Sequence, residues 1–297
     1  MAHTHNHDHS STNIGITVLL NVIITLAQVI GGIISGSMAL LSDATHNFSD
    51  VLALLISYLA RKLSTKKSTL TRTFGYRRAE IIASLVNSAS LLVIAILLVY
   101  GGIQRLLNPV DIKGNLVIYL AALSIVLNGL SVLLIKKEAK ESMNIRSAYL
   151  HLFTDMLTSI AVLVGGFTIK YLAWYWVDPV ISLGIAIYLI NSSWSLFVES
   201  VKIIMQYTPT AVDIEEIEND ICCIDGVENL HHVHVWQLND KEIIFEAHID
   251  LQKDIKISEF EEKLNIIKDI LEKQNIHHYN IQPEYTNHDS KSLIHQH

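Results

Sequence analysis

The sequence has little charge for its length, since only 17% of its 297 residues are Asp, Glu, Lys or Arg. Soluble domains carry roughly 25% charged residues. Cysteine is scarce as well, and the only two stand side by side as Cys222 and Cys223, which excludes a disulfide framework and predicts an inert pair. Half of the residues are hydrophobic. Together these features exclude a disordered or nucleic-acid-binding chain and favour a membrane protein.

The charges that are present divide the chain into two parts near Thr208 and Pro209. Residues 1–208 hold 15 basic against 10 acidic side chains, whereas residues 209–297 hold 7 basic against 19 acidic ones. An apolar and slightly basic body is therefore joined to a polar and acidic one.

Six stretches of the apolar part are long enough to cross a bilayer as helices, which takes about 20 largely apolar residues. Their lack of period-2 alternation favours helices over a barrel. Glycine pairs at Gly31-Gly32 and Gly165-Gly166 predict close helix packing. The predicted spans cover residues 14–34, 38–60, 80–106, 115–135, 146–171 and 179–204.

Basic residues in the short loops predict the orientation of the spans. The loops after the second and fourth spans hold eleven Lys and Arg residues, whereas the loops on the opposite side hold two, Lys113 and Lys170. We therefore expect a multi-pass protein of the cell (inner) membrane with both termini in the cytoplasm.

The acidic part predicts a small α+β domain with the element order αββαβ. Apolar residues at helical spacing begin near Asp213, two alternating strands flank a turn at Asn239-Asp240, and Ser258 is expected to cap a second helix before a last strand. The full prediction is a His-rich cytoplasmic tail, a six-helix transmembrane domain, a cytoplasmic metallochaperone-like domain and a flexible tail over residues 1–12, 13–208, 209–287 and 288–297.

Four ionisable side chains lie well inside predicted spans, where a charge is costly and function is the default explanation. His46 and Asp50 lie on the second span, and His151 and Asp155 lie on the fifth. Both pairs read His-x-x-x-Asp, a spacing that puts the two side chains on one helix face, within about 6 Å of each other. If the two helices face each other, two imidazoles and two carboxylates converge.

This set of groups matches the chemistry of Zn²⁺, which favours four tetrahedral ligands from His, Asp, Glu or Cys. Two carboxylates cancel the charge of the ion, whereas Mg²⁺ and Ca²⁺ prefer oxygen alone and Cu(I) prefers sulfur. Because a metal displaces protons from the same groups, metal and protons compete for the site. The alternative is that each pair is a structural hydrogen bond or ion pair between helices.

Two polar neighbours of His46 have open roles. Asp43 lies one turn before it and is expected either to support the site or its mouth or to cap the start of the helix. Asn47 follows His46 directly and is expected either to support the site or to hydrogen-bond between helices.

Taken together, these residues resemble a known family, the cation diffusion facilitators, and in particular its bacterial zinc exporters. The resemblance runs in the family's order along nearly the whole chain. The matching stretches are Gly31–Asp50, Phe74–Glu80, Asn144–Asp155, Asp178-Pro179 and His232–Trp236.

The resemblance implies a homodimer with six membrane helices that exports Zn²⁺ in exchange for protons. It also implies that His46, Asp50, His151 and Asp155 form the transport site. His at position 46 is similar to the zinc-selective members, whereas members with Asp there often take cadmium or iron as well.

Family members often hold a binuclear metal site in the cytoplasmic domain, and this chain matches that pattern only in part. His231 and His248 match on the first two strands, and Glu284 stands on the last strand where a carboxylate is usual. A histidine that some members place on the second helix is absent. We therefore expect either a single metal at His231, His248 and Glu284 or a purely structural interface.

The sequence thus predicts a secondary transporter rather than an enzyme, because it contains no His-Glu-x-x-His motif and four protein ligands would fill the shell of the ion. Its partners are expected to be a second copy, the lipid bilayer and protons, with zinc as the transported substrate and as a candidate regulator. The alternative is a membrane-anchored sensor or binding protein for divalent metals.

Overall fold

The computed structural model describes residues 8–136, 143–286 and 291–294. The chain divides into two compact units. One unit comprises Met1–Leu59 with Val86–Phe197, and the other comprises Ala60–Leu85 with Val198–His297.

Six long helices account for most of the chain up to residue 204, which confirms the six helices predicted from sequence. The first helix begins earlier than predicted, at Asp8. The helices are α1 (Asp8–Ser35), α2 (Met38–Ser64), α3 (Ala79–Leu107), α4 (Gly114–Ile135), α5 (Met143–Leu172) and α6 (Val177–Ile204).

Four of these helices, α3 to α6, are long and apolar enough to cross a membrane. In α1 the described apolar stretch, Leu19–Ser35, is shorter, and α2 carries Ser42, Asp43, His46, Asn47 and Asp50 within three turns, which lowers its apolar content. Six spans therefore remain a prediction. Many large apolar side chains of the helices point outward, as expected for lipid-facing surfaces. On α3 they include Ile82, Val86, Val93, Ile96 and Leu97.

The glycine pairs permit close helix packing, as predicted. A Cβ added at Gly31 of α1 would lie 1.8 Å from Leu120 of α4. One added at Gly166 of α5 would lie 3.0 Å from Ile118 of α4. Helix α4 thus packs closely against both α1 and α5, because each of these neighbours lacks a side chain at the contact.

The start of α2 is fixed by α6, the helix that begins after residue 176. The Asp178 carboxylate accepts hydrogen bonds from the backbone N–H groups of Met38 (2.7 Å) and Ala39 (3.4 Å), and from the Ser37 hydroxyl. About one turn further on, the hydroxyls of Ser42 and Ser182 lie 2.7 Å apart. Because the first N–H groups of a helix lack intrahelical partners, this carboxylate caps α2 and fixes its start beside α6.

The C-terminal domain has the predicted αββαβ order. Strands β1 and β2 pair antiparallel, β2 and β3 pair parallel, and the sheet order is β1-β2-β3. The parallel pair needs a crossover, which contains the second helix of the domain. The elements are α7 (Ile214–Cys222), β1 (Val227–Gln237), β2 (Ile243–Leu251), α8 (Ile257–Lys273) and β3 (His278–Glu284).

Both helices of this domain pack on one apolar sheet face, whose core includes Phe245 and Ile249. The predicted turn is present, because the Asn239 side-chain oxygen accepts hydrogen bonds from the backbone N–H groups of Lys241 and Glu242. The predicted cap at Ser258 is wrong. Helix α8 begins at Ile257 and has no side-chain cap, so Ser258 already lies in its first turn.

Candidate metal-binding sites

Helices α2 and α5 bring His46, Asp50 and Asp155 together. Nδ1 of His46 lies 3.6 Å from Oδ2 of Asp50, one helical turn further along α2. Nε2 of His46 lies 3.3 Å from Oδ1 of Asp155 on α5. One ligand atom from each of the three residues lies within 4.8 Å of the others. The imidazole ring therefore has a carboxylate at each of its nitrogens.

The spacing and burial of these groups suit a zinc ion. With zinc–ligand bonds of 2.0–2.2 Å, tetrahedral ligands lie roughly 3.3–3.6 Å from one another. The separations of 3.6 Å from His46 to Asp50 and 3.3 Å from His46 to Asp155 already fall in that range. Asp155 is fully buried and His46 nearly so. Water therefore screens these charges poorly, and an ion or protons must compensate the carboxylates.

His151, the fourth predicted ligand, belongs to α5 and precedes Asp155 by about one turn. Its side chain lies outside the part of the chain that the structure describes. The structure therefore brings three of the four predicted ligands together and leaves the fourth as a prediction.

Asp43 lies at the centre of a buried hydrogen-bond network rather than at a helix cap. Its carboxylate accepts hydrogen bonds from Gln28 Nε2 (2.6 Å), Thr158 Oγ1 (2.9 Å) and Ser159 Oγ (3.0 Å). The alternative that Asp43 caps α2 is therefore wrong, since α2 begins five residues earlier and Asp178 holds its start.

Asn47 joins the same network through Gln28. Asn47 is fully buried, and its Nδ2 donates to Oε1 of Gln28 at 3.0 Å. Gln28 thus connects Asp43 and Asn47, which flank His46 along α2, and Ser159 links the network to α5, the helix of Asp155. Gln28 is absent from the sequence-based prediction of the site, because nothing in a single sequence shows which helices face each other.

A second cluster forms on the sheet of the C-terminal domain. His231 on β1 stands opposite His248 on β2, and their rings lie 5.5 Å apart. Glu284 of β3 reaches both rings, with Oε2 at 3.4 Å from Nε2 of His231 and Oε1 at 2.8 Å from Nδ1 of His248. One ligand atom from each of these three residues lies within 4.8 Å of the others. His231 and Glu284 are buried.

Two members of this cluster are absent from the sequence-based prediction. Asp250 lies 3.4 Å from Nδ1 of His231 and could hold that ring with Nε2 facing Glu284, as carboxylates commonly do for metal-binding histidines. Lys291 lies 2.8 Å from Asp250 and 3.3 Å from Glu284. Residues two apart on a strand lie on the same face, so the position of Asp250, two residues after His248, was a signal that it could join the cluster. No signal indicated Lys291.

The cysteine pair adds no ligand to either cluster. Cys222 is partly buried and Cys223 is exposed, and both are free. Burial raises the pKa of the Cys222 thiol, which disfavours the thiolate that metal binding requires. This agrees with the inert pair predicted from sequence.

Comparison with known protein families identifies the family of this chain. Residues 14–205 match the family model of the cation efflux transmembrane domain. The chain belongs to the cation efflux family. Residues 209–285 match the cytoplasmic domain of cation efflux proteins. The resemblance to cation diffusion facilitators is thereby confirmed, and with it a membrane protein of a transporter family rather than an enzyme.

Named relatives cover most of the chain. It is 31% identical over 296 residues to a cadmium, cobalt and zinc/H(+)-K(+) antiporter of Bacillus subtilis, covering 99% of this chain and 95% of that protein. It is 31% identical to the metal cation efflux system protein CzcD of Cupriavidus metallidurans, with coverages of 94% and 89%. It is 33% identical to the zinc transporter ZitB of Escherichia coli, with coverages of 82% and 81%.

Proposed function

We propose that this cation efflux protein exports Zn²⁺ from the cytoplasm in exchange for protons, with other divalent transition metals as candidate substrates. The observation that carries the proposal is the cluster of His46, Asp50 and Asp155 on two apolar-domain helices. Its relatives, which include a zinc transporter and a cadmium, cobalt and zinc antiporter, support the same substrate class.

The transport site in this proposal consists of His46, Asp50, His151 and Asp155. In the metal-loaded state, two imidazoles and two carboxylates complete a tetrahedral shell without net charge. In the proton-loaded state, a protonated His46 ring carries its positive charge between two carboxylates, which lie 3.6 and 3.3 Å from its nitrogens. Because the two states use the same atoms, the metal and the protons exclude each other.

Asp43 and Asn47 act as supports of this site in the proposal. Through Gln28 they tie α2 to α1, and through Thr158 and Ser159 Asp43 ties α2 to α5. Such outer hydrogen bonds fix the orientation of metal-binding side chains and are typically worth 10–100-fold in affinity or activity.

The C-terminal domain offers a second site, at which we propose one zinc ion bound by His231, His248 and Glu284. Support comes from the buried glutamate placed between two imidazoles. A site built on hydrogen-bonded strands holds its ligands at fixed separations, which suits a structural or regulatory ion rather than a transported one.

We also propose a homodimer in the cell membrane with both termini in the cytoplasm. The excess of basic residues in the loops after α2 and α4 supports that orientation. The matched model of the C-terminal domain carries a name that refers to dimerisation. The domain boundaries at residues 12, 208 and 287 belong to the same proposal.

The direct test is zinc uptake into proteoliposomes with an acidic lumen. An antiporter carries Zn²⁺ inward while protons leave, so uptake should depend on the pH gradient and stop when an ionophore collapses it. If the purified protein binds Zn²⁺ but moves none under either condition, the transporter assignment fails. A membrane-anchored sensor or binding protein would then be the better account.

A further inference from the structure

Residues 291–294 lie against the metal cluster of the C-terminal domain. Their backbone carbonyls accept hydrogen bonds from β1: Ser292 from the N–H of His232 (3.3 Å) and Leu293 from the N–H of Val233 (2.9 Å). The Leu293 side chain packs on the apolar core of the domain. Two backbone hydrogen bonds and an apolar contact thus hold the segment against β1 beside the cluster.

The backbone of β1 is adapted to this contact. His232 has a positive φ of 54°, and the register of β1 against β2 shifts between His231 and His234. At such a bulge the regular ladder between the two strands is interrupted. The N–H groups of His232 and Val233, which lie within this interruption, donate to the C-terminal segment.

The segment brings a positive charge to the carboxylates of the cluster. The Lys291 ammonium lies 2.8 Å from Oδ1 of Asp250 and 3.3 Å from Oε2 of Glu284, two side chains that are largely buried. Oε2 of Glu284 is the same oxygen that faces Nε2 of His231 at 3.4 Å. A lysine and a metal ion would therefore bind to one oxygen.

Charge decides whether the two cations can coexist there. An ion bonded to Oε2 of Glu284 would sit close to an ammonium that contacts the same atom, and their repulsion in a partly buried site is poorly screened. The lysine side chain is about a third exposed, so its ammonium can move into water when an ion binds.

We propose that Lys291 is an intramolecular competitor of the metal at this cluster. Its ammonium neutralises Asp250 and Glu284 in the ion-free state, and a bound Zn²⁺ displaces it and loosens segment 291–294 from β1. The inference rests on the proposed zinc site of His231, His248 and Glu284. It concerns a part of the chain beyond residues 209–285, which match the family's cytoplasmic domain.

The first test compares Zn²⁺ affinities of the full-length protein in detergent. Each titration is paired with the same protein carrying Glu284→Ala, so that the difference reports this cluster rather than the membrane site or the His-rich tail. Lys291→Met should tighten the Glu284-dependent binding about tenfold, the worth of a lost charged hydrogen bond. Lys291→Arg should stay near wild type because it keeps the charge, and Lys253→Met controls for removal of an exposed lysine.

The second test follows the segment itself through the peptide bond after Lys291, which trypsin cleaves only when that side chain is accessible. Zn²⁺ should accelerate release of residues 292–297 from the wild type, measured by mass spectrometry, and should have no such effect in the Glu284→Ala variant. Equal acceleration in both proteins would overturn the proposal.

The outcomes separate the inference from the site on which it rests. Glu284-dependent zinc binding with the same affinity in wild type and Lys291→Met, and no change in cleavage, would overturn the competition while leaving the metal site standing. Absence of Glu284-dependent binding in both proteins would overturn the metal site and the competition together. Neither result would bear on the proposed zinc transport through the membrane cluster.

Discussion

The two clusters of this protein combine the same groups on different supports. In the membrane domain, His46 and Asp50 lie on α2 and Asp155 lies on α5, so the cluster joins two separate helices. In the C-terminal domain, His231 and His248 stand opposite each other on paired strands and the third ligand comes from the next strand.

This difference of support indicates a difference of role. Strand pairing fixes the separation of the histidines through a ladder of backbone hydrogen bonds, whereas side-chain contacts such as Asp43–Thr158 join the two helices. A movement of α2 relative to α5 would change the geometry of the membrane cluster at little backbone cost. Chemistry that must bind and release an ion therefore suits the helices, and chemistry that must hold one suits the sheet.

The largest effect is expected at the buried carboxylate of the membrane cluster. Asp155→Asn keeps the size of the side chain but removes the charge that compensates the ion, so zinc uptake into proteoliposomes should fall at least a hundredfold. Asp111→Asn, at an exposed position between α3 and α4, should transport normally. Dimerisation and thermal stability of the Asp155 variant should stay near wild type.

Loss of stability without loss of transport in the Asp155→Asn variant would contradict the proposed difference of role between the two clusters. If the variant loses its dimer or unfolds while the remaining folded protein transports zinc at the wild-type rate, the cluster is a structural contact between helices. The buried histidine–carboxylate pair would then stabilise the domain without carrying the ion.

A smaller loss of zinc uptake is expected at Asp43, which supports the membrane cluster without belonging to it. Asp43→Asn weakens the acceptor that holds Gln28, Thr158 and Ser159, and removal of such outer contacts typically costs 10–100-fold. The loss should appear mainly in zinc affinity, measured as the concentration for half-maximal uptake. A maximal rate that falls with unchanged affinity would assign Asp43 to the helix movement instead.

A still smaller effect on transport is expected from the second cluster. Glu284→Gln removes the negative charge that lies between His231 and His248. We expect zinc uptake to fall less than tenfold, because the proposed transport site lies on α2 and α5 and not on the sheet. His248→Ala should behave in the same way. Complete loss of uptake in both variants, with protein folded and inserted, would show that the sheet cluster is obligatory for transport.

The smallest effect concerns stability of the C-terminal domain alone. Asp213 caps α7 by accepting a hydrogen bond from the Glu216 N–H at 3.1 Å, and its replacement by Ala should cost about 1 kcal/mol of unfolding free energy. Zinc uptake at moderate temperature should not change. Asp220→Ala, an exposed acid nearer the end of the same helix, should not destabilise the domain.

Much of the fold could be predicted because long apolar runs and alternating strands are local signals. The six helices and the αββαβ order follow from periodicity, and the pairing of His46 with Asp50 follows from helical spacing. The approach of Asp155 to His46 required the assumption that α2 and α5 face each other, which the structure shows.

The failures involve contacts that no local pattern specifies. Asp43 was open to interpretation as a cap, yet a carboxylate from position 178 occupies that role. Ser258 looked like a cap by residue type, although the helix begins one residue before it. The contacts of Gln28 with Asp43 and Asn47, and of Lys291 with Glu284, arise from tertiary packing, and only coordinates show those distances.

The most direct test of the central claim is to locate zinc in crystals of the zinc-loaded protein by anomalous diffraction at the zinc absorption edge. The account predicts a peak among His46, Asp50 and Asp155 that disappears in the Asp155→Asn variant. Zinc found only at the sheet cluster, with the membrane cluster empty in a protein that still transports, would contradict it.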